Sequence, residues 1–191
     1  MPPRRSDRKE QILQSLAAML ESSPGNKITT AKLAASLDVS EAALYRHFPS
    51  KTRMYESLIE FVEETLFSRI TQILSEEANQ LARCKHILTL FLVFCERNPG
   101  ITRLLGGDAL TGEHERLRSR VSQVHDRIET QHRQCSRVAE AEEGWITTIP
   151  VNEVANLFLL VVEVRIAPFV RSDFGLLPTN ACASQWSLLF S

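Results

Sequence analysis

The sequence predicts an all-α protein in which a small N-terminal three-helix unit precedes a larger helical domain. Apolar residues recur at helical spacing along most of the chain, and clusters of turn-forming residues separate these segments. Charge is also divided unevenly: residues 1–53 carry nine Lys and Arg against five Asp and Glu, and the remaining residues carry 13 against 18. A basic first part on an acidic body is typical of a protein that meets phosphate with one end. We place the boundary after residue 53, giving domains 1–53 and 54–191.

The first two helices follow from an apolar stripe and its breaks. The stripe predicts a helix over Arg8–Glu21, which the turn formers Ser22–Asn26 end. A second helix is predicted over Thr30–Ser36, and either Thr29 or Thr30 can cap its N-terminus.

A tight turn then leads to a third short helix, Glu41–His47. Ser40 can cap it, and Pro49 ends it because the residue before a proline avoids the α region. We expect four apolar side chains to be buried between the second and third helices, namely Leu33, Ala34, Val39 and Leu44. Two helices joined by a tight turn and supported by a preceding helix indicate a helix-turn-helix unit that binds DNA. An ordinary three-helix cap with a solvated face has the same pattern.

In the DNA-binding interpretation, the segment Ser40–His47 enters the major groove. The small side chains of Ala42 and Ala43 let the helix lie deep, and an alanine can contact a thymine methyl. Hydroxyl, imidazole and ammonium groups around the helix can donate to phosphate oxygens and fix the register. The predicted DNA-binding residues are Thr29, Thr30, Lys32, Ser40, Glu41, Ala42, Ala43, Tyr45, Arg46, His47 and Lys51.

The rest of the chain predicts a helical body. A long helix over Ser50–Glu77 would couple the two parts, and Leu81–Glu96 is apolar on nearly all sides, so it is either central or awaits a partner. Pro99-Gly100 breaks this helix, and an exposed loop is predicted over residues 139–144. Further helices are predicted over Ile101–Leu110, Glu113–Ala139, Val151–Val170 and Ala181–Phe190.

Neither the cysteines nor the histidines have the spacing of a metal site. The cysteines form no C-x-x-C pair, so we expect reduced, partly buried thiols at Cys84, Cys95, Cys135 and Cys182. Three histidines of one helix, His114, His125 and His132, are expected to be solvated. The sequence contains neither a phosphate-cradling glycine loop nor a nucleophile elbow, and no carboxylate pair has independent support. We therefore expect no enzyme activity, no metal and no cofactor.

The longest apolar stretches are too short to span a bilayer. Polar residues interrupt both Ile87–Cys95 and Val154–Val164, and no apolar signal core follows the basic N-terminus. We expect a soluble protein without a membrane segment that is not exported and resides in the cytoplasm.

One contiguous stretch carries a resemblance to a known family. Leu44–Lys51, with the sequence LYRHFPSK, together with TTAKLA at 29–34, resembles the DNA-binding domain of TetR-type regulators. Further segments are similar to the SlmA family of nucleoid occlusion factors, which has a TetR-like fold. They are ILQSLA at 12–17, KTRM at 51–54, SLIEF at 57–61, ERNPGITR at 96–103 and FVRSDF at 169–174.

This resemblance implies a homodimer that reads a palindromic DNA site and engages the division protein FtsZ, blocking ring assembly over the nucleoid. The last two long helices would form the dimer bundle, and higher-order assembly on DNA stays open. The resemblance also places FtsZ in a groove between the Ser50–Glu77 and Leu81–Glu96 helices. The matching positions are Phe61, Arg69, Leu90, Arg97 and Asn98. By composition alone, Phe61 and Leu90 would instead be core residues, with Arg97 and Asn98 merely ending a helix.

The sequence also departs from the family. Val93 stands where the family tends to have glycine, and Asp108, the pair Thr111-Gly112 and residues 161–168 are unlike it. Pro168 should kink its predicted helix. The alternative function is a ligand-responsive TetR-type repressor, in which a pocket in the body shifts the spacing of two DNA-binding heads. The charged, bulky helices of the body and the filled core at Leu81–Glu96 argue against a roomy pocket.

Overall fold

The structure is a computed structural model that describes residues 5–23 and 27–189, with side chains for 8–23 and 27–187. Regular structure in these residues is helical throughout, and no strand is found among them. The predicted all-α class is therefore confirmed. The helices are α1 (Arg5–Ser22), α2 (Thr30–Ser36), α3 (Glu41–Tyr45), α4 (Lys51–Glu76), α5 (Gln80–Arg97), α6 (Pro99–Leu105), a 3₁₀ turn (Asp108–Leu110), α7 (Glu115–Glu142), α8 (Val151–Arg171) and α9 (Cys182–Leu189).

Three predicted boundaries were wrong for local reasons. The third helix ends at Tyr45, because Arg46 is its C-cap and the chain then turns toward Pro49. Pro99 does not merely break a helix but starts α6 from its first position, where the missing N–H costs nothing. The helix predicted over Ile101–Leu110 stops at Leu105, since Gly107 adopts a left-handed φ of 82°.

Other differences concern helix ends. Helix α7 continues to Glu142, so most of the loop predicted at 139–144 is helical. Helix α8 runs through Pro168 to Arg171, and the kink expected there stays a prediction. Of the predicted turn and terminal helix, Pro24, Gly25, Asn26 and Phe190 lie outside the described residues.

The chain divides into two compact units. The first comprises Met1–Val62 and Asn98–Val121, and the second comprises Glu63–Arg97 and Ser122–Ser191. These ranges describe packing, so the functional boundary after residue 53 stays a prediction.

In the first unit, α6 packs closely on α1. A side chain at Gly100 would bring its Cβ to 2.0 Å from the carbonyl oxygen of Ala17, so only glycine allows this approach. The buried guanidinium of Arg103 reinforces it by donating to the Leu20 carbonyl at 2.7 Å and pairing with Asp108 at 2.8 Å. Asp108 therefore anchors Arg103.

In the second unit, α5 is central, which settles the question that its all-round apolar pattern raised. One side of α5 packs on α8, and its buried residues are Cys84, Ile87, Leu88, Phe91, Leu92, Phe94 and Cys95. Arg165 of α8 donates to the carbonyls of Pro178 and Asn180 at 2.9 and 3.0 Å and lies over the Trp186 ring, which ties α8 to the C-terminal segment. All four cysteines are free and buried, so they are covered more fully than the sequence predicts.

Two of the three histidines predicted to be solvated are not. His114 is exposed, but His125 is mostly covered and His132 is fully buried, with its ring edge on Phe158. His132 lies four residues after buried Ile128 and three before buried Cys135, so it belongs to the apolar stripe of α7. Burial lowers the pKa of His132 to about 3 and keeps the ring neutral.

Candidate nucleic-acid interface

Two N-caps and a left-handed residue shape the turn between α2 and α3. The Thr29 hydroxyl accepts a hydrogen bond from the Lys32 amide at 3.2 Å, and the Ser40 hydroxyl accepts one from the Ala43 amide at 3.3 Å. Between the helices, Asp38 has a φ of 52°, a conformation that aspartate tolerates better than most residues. Both predicted caps are confirmed, Thr29 rather than Thr30 serving α2.

Helices α2 and α3 bury one side against each other, and the predicted recognition face of α3 remains accessible. Leu33, Ala34 and Leu44 are buried as predicted, whereas Val39 is only half-buried. The predicted outer residues are then exposed or half-buried: Ser40, Glu41, Ala42, Tyr45 and Arg46 are exposed, and Ala43 and His47 are half-buried. A short helix with two small residues on its outer face is the shape that a major groove admits.

A small polar network crosses from α2 to α3. The Thr30 hydroxyl donates to the Glu41 carboxylate at 2.5 Å, and the Tyr45 hydroxyl donates to the Thr30 oxygen at 3.4 Å. Thr30 is thus better placed to orient Glu41 and Tyr45 than to donate to phosphate itself. Sequence reasoning missed this role, because it treated each hydroxyl as an independent donor.

The cations of this face differ in what they contact. Lys32 and Arg46 are exposed, and neither forms an ion pair with any residue that the structure describes. Lys51 instead pairs with Glu113 and lies 5.6 Å from the centre of the Tyr55 ring. Glu113 is absent from the sequence-based predictions for this surface.

The predicted partner-binding residues have mixed environments. Phe61 has 47% of its surface exposed, so the interpretation of this residue as core is wrong. Arg69 is exposed and donates to Gln72 at 3.1 Å, and Arg97 is exposed at the end of α5. Leu90 and Asn98 are half-buried. Their assembly into one binding surface stays a prediction.

Helix α8 presents an uncovered apolar face in the second unit. Leu157, Leu160 and Val164 recur at helical spacing and are 40%, 45% and 68% exposed. With Leu176 and Leu177 they line an open groove of about 530 Å³. Neighbouring exposed apolar residues of this kind are typical of an interaction surface.

Comparison with known proteins decides the family. Residues 12–58 match the bacterial regulatory proteins of the tetR family, and residues 78–191 match the SlmA-like form of the tetracyclin repressor-like C-terminal domain. The nucleoid occlusion factor SlmA of Shewanella pealeana is 57% identical over 183 residues, which covers 96% of this chain and 93% of the relative. The chain belongs to the SlmA family of nucleoid occlusion factors. SlmA of Idiomarina loihiensis is 54% identical over 189 residues, covering 99% and 96% of the two chains.

The fold of this SlmA-family chain is shared more widely. The fatty acid degradation regulator FadR from Bacillus halodurans superposes with a TM-score of 0.82 at 12% identity, covering 100% of this chain and 97% of that one. The TetR-like fold is therefore confirmed, together with the resemblance to DNA-binding regulators. Within the described ranges, no helix has both the length and the hydropathy needed to cross a membrane. Nor do His, Cys, Asp and Glu side chains there gather in a group of three that could hold a metal ion.

Proposed function

We propose that this protein is a nucleoid occlusion factor that, bound as a dimer to palindromic chromosomal DNA, binds FtsZ and blocks Z-ring assembly over the nucleoid. The observation that carries the proposal is identity of 57% and 54% to relatives named SlmA along nearly the whole chain. In this proposal residues 1–53 bind DNA, residues 54–191 dimerise and bind the partner, and the protein resides in the cytoplasm at the nucleoid.

The DNA-binding part of the proposal rests on α3. Its outer face carries two alanines and is flanked by the exposed cations Lys32 and Arg46. A two-fold dimer places two such helices in successive major grooves roughly 34–36 Å apart, which requires a palindromic site. The residues proposed to bind DNA are those predicted from the sequence, with Thr30 acting through Glu41 and Tyr45.

Charge removal tests this assignment. Lys32→Ala and Arg46→Ala should each weaken DNA binding, and each should reduce the slope of log affinity against log salt by about 1, because one phosphate contact is lost. Lys85→Ala, at an exposed position of α5, is the matched control and should bind as the wild type does. The DNA affinity is measured by fluorescence anisotropy. Wild-type affinity of both Lys32→Ala and Arg46→Ala would contradict the assignment.

The dimer is proposed to form through α8 together with α7. The uncovered face of Leu157, Leu160 and Val164 is apolar enough to pack against its symmetry mate, and two-fold dimers bury the same patch on both subunits. The alternative of a ligand-responsive repressor is not favoured, because the groove of about 530 Å³ is open and is lined by these same residues.

FtsZ is proposed to bind Phe61, Arg69, Leu90, Arg97 and Asn98. Phe61 and Arg69 lie eight residues apart on α4, a little over two turns, and both are exposed. An exposed aromatic ring accompanied by arginines suits a short acidic segment with apolar residues.

The partner site can be tested separately from the DNA site. Charge reversal of Arg69 and Arg97 to glutamate should abolish FtsZ binding and leave DNA binding intact. Reversal of Arg171, exposed at the end of α8, is the control for a general loss of positive charge. Loss of neither activity, or loss of DNA binding alone, would contradict the assignment.

A further inference from the structure

A cation proposed to bind DNA is already bound by a carboxylate of its own chain. The Lys51 Nζ contacts the Glu113 Oε1, and the two side chains retain only 19% and 10% exposure. Both residues belong to the first compact unit. A half-buried ion pair is weakened by salt less than an exposed one, so Lys51 is not simply available to phosphate.

The contact has a physical cause at the start of α4. Lys51 is the first residue of this helix, whose first turn contains no acidic side chain. The Ser50 hydroxyl caps the Arg53 amide at 3.1 Å. The positive end of the helix dipole still favours an anion there, and the lysine charge adds to that preference. The Glu113 carboxylate supplies the negative charge that a DNA phosphate would otherwise supply.

The backbone holds Glu113 in this position. Its amide donates to the carbonyl of buried Leu110 at 3.1 Å, and the preceding Gly112 adopts a left-handed φ of 76°. Glu113 therefore lies in a defined turn before α7, not on a freely moving loop. No equivalent carboxylate pairs with Lys32 or Arg46 within the described part of the chain.

We propose that Glu113 competes with DNA phosphate for Lys51. DNA binding then replaces the Lys51–Glu113 ion pair by a contact between Lys51 and phosphate, and loss of the ion pair offsets part of the binding free energy that this contact contributes. This inference rests on the proposed DNA-binding function. The released carboxylate has a donor nearby, because Tyr55 lines the same cavity of about 270 Å³ as Glu113. Glu113 is a positioning residue in this account, since it acts on DNA only through Lys51.

Two variants separate the contact from the charge. Glu113→Gln removes the charge, whereas Glu113→Asp keeps it and shortens the side chain away from Lys51. Glu115→Gln, at an exposed position two residues along, removes the same charge without touching Lys51. The probe is a random-sequence DNA duplex of about 30 base pairs, because phosphate contacts carry no sequence information. Affinity is measured by anisotropy between about 50 and 200 mM salt, a range over which phosphate contacts weaken strongly.

Glu113→Gln and Glu113→Asp should both bind DNA about two- to five-fold more tightly than the wild type, the range expected for release of one ion pair. Glu115→Gln should gain less, and in a Lys51→Gln background Glu113→Gln should gain no more than Glu115→Gln does. Equal gains from Glu113→Gln and Glu115→Gln, or weaker binding by either Glu113 variant, would overturn the proposal. Failure of the wild type to bind DNA at all would overturn the proposed function as well, so the two failures are distinguishable.

Discussion

Replacing Gly100 by alanine should force α6 away from α1 and destabilise the first unit. The added Cβ would lie 2.0 Å from the Ala17 carbonyl oxygen and 2.9 Å from the Glu21 amide nitrogen. Both distances are far inside the ~3.5 Å at which non-bonded atoms attract. Because both obstacles are backbone atoms of a packed helix, no side-chain rotation can relieve the overlap.

The magnitude follows from two opposing effects. Overpacking a well-packed contact typically costs about 1–3 kcal/mol. We take the upper end, about 3 kcal/mol, because the atoms in the way belong to the backbone and cannot rotate aside. Alanine is also about 1 kcal/mol better than glycine inside a helix. We therefore expect the free energy of unfolding to fall by about 2 kcal/mol or more. For a chain of this size, that lowers the Tm by roughly 4–8 °C.

Gly106→Ala is the matched control on the same helix. Gly106 caps α6 with a φ of −73°, and its Cβ would meet only the Thr102 carbonyl oxygen at 3.4 Å. Its unfolding free energy should stay within about 0.5 kcal/mol of the wild-type value. Urea and thermal denaturation followed by circular dichroism measure both variants. If Gly100→Ala has the same Tm as Gly106→Ala and the wild type, the close approach of α6 and α1 is refuted.

Three further predictions concern pH, capping and assembly. His132 is neutral when folded, whereas the unfolded chain protonates it near pH 6.5, so the unfolding free energy should fall by about 1.4 kcal/mol per pH unit below that value. His132→Leu should flatten this dependence between pH 7 and 5 in urea denaturation, and an unchanged slope would count against the buried neutral ring. Ser40→Ala should cost about 1 kcal/mol of stability by the same method, because α3 loses its N-cap; wild-type stability would show that the cap contributes nothing. Leu160→Glu should be monomeric in light scattering, because it places a charge on the proposed dimer face of α8. Ile146→Glu, at an 89% exposed loop position, is the control and should stay dimeric. A dimeric Leu160→Glu protein would show that the α8 face does not form the dimer interface.

The parts of the site that sequence reasoning predicted correctly are those set by neighbours in the chain. The Ser40 cap depends on an amide three residues away, and the Thr29 cap likewise depends on the Lys32 amide three residues away. The apolar residues beneath α3 follow from helical spacing alone. These interactions are local, so the order of residues determines them without knowledge of the tertiary fold.

The features that sequence reasoning missed depend on residues far apart in the chain. Lys51 and Glu113 are 62 residues apart, so nothing in the local sequence around either residue predicts their contact. Gly100 reads as a helix breaker, since its contact with Ala17 exists only after α6 and α1 pack. The burial of His132 is predictable from the sequence, because this residue falls on the apolar stripe of α7. The polarity of its ring instead favoured the interpretation that it is solvated.

The measurement that tests the central claim most directly is the effect of DNA-bound protein on FtsZ polymers. FtsZ is assembled with nucleotide, and polymer mass is followed by light scattering and sedimentation as the protein is added with palindromic DNA and no small molecule. The account predicts that polymer mass falls with increasing protein in the presence of DNA. Undiminished polymers, together with release of the protein from DNA by a specific metabolite, would contradict the account and identify a ligand-responsive repressor instead.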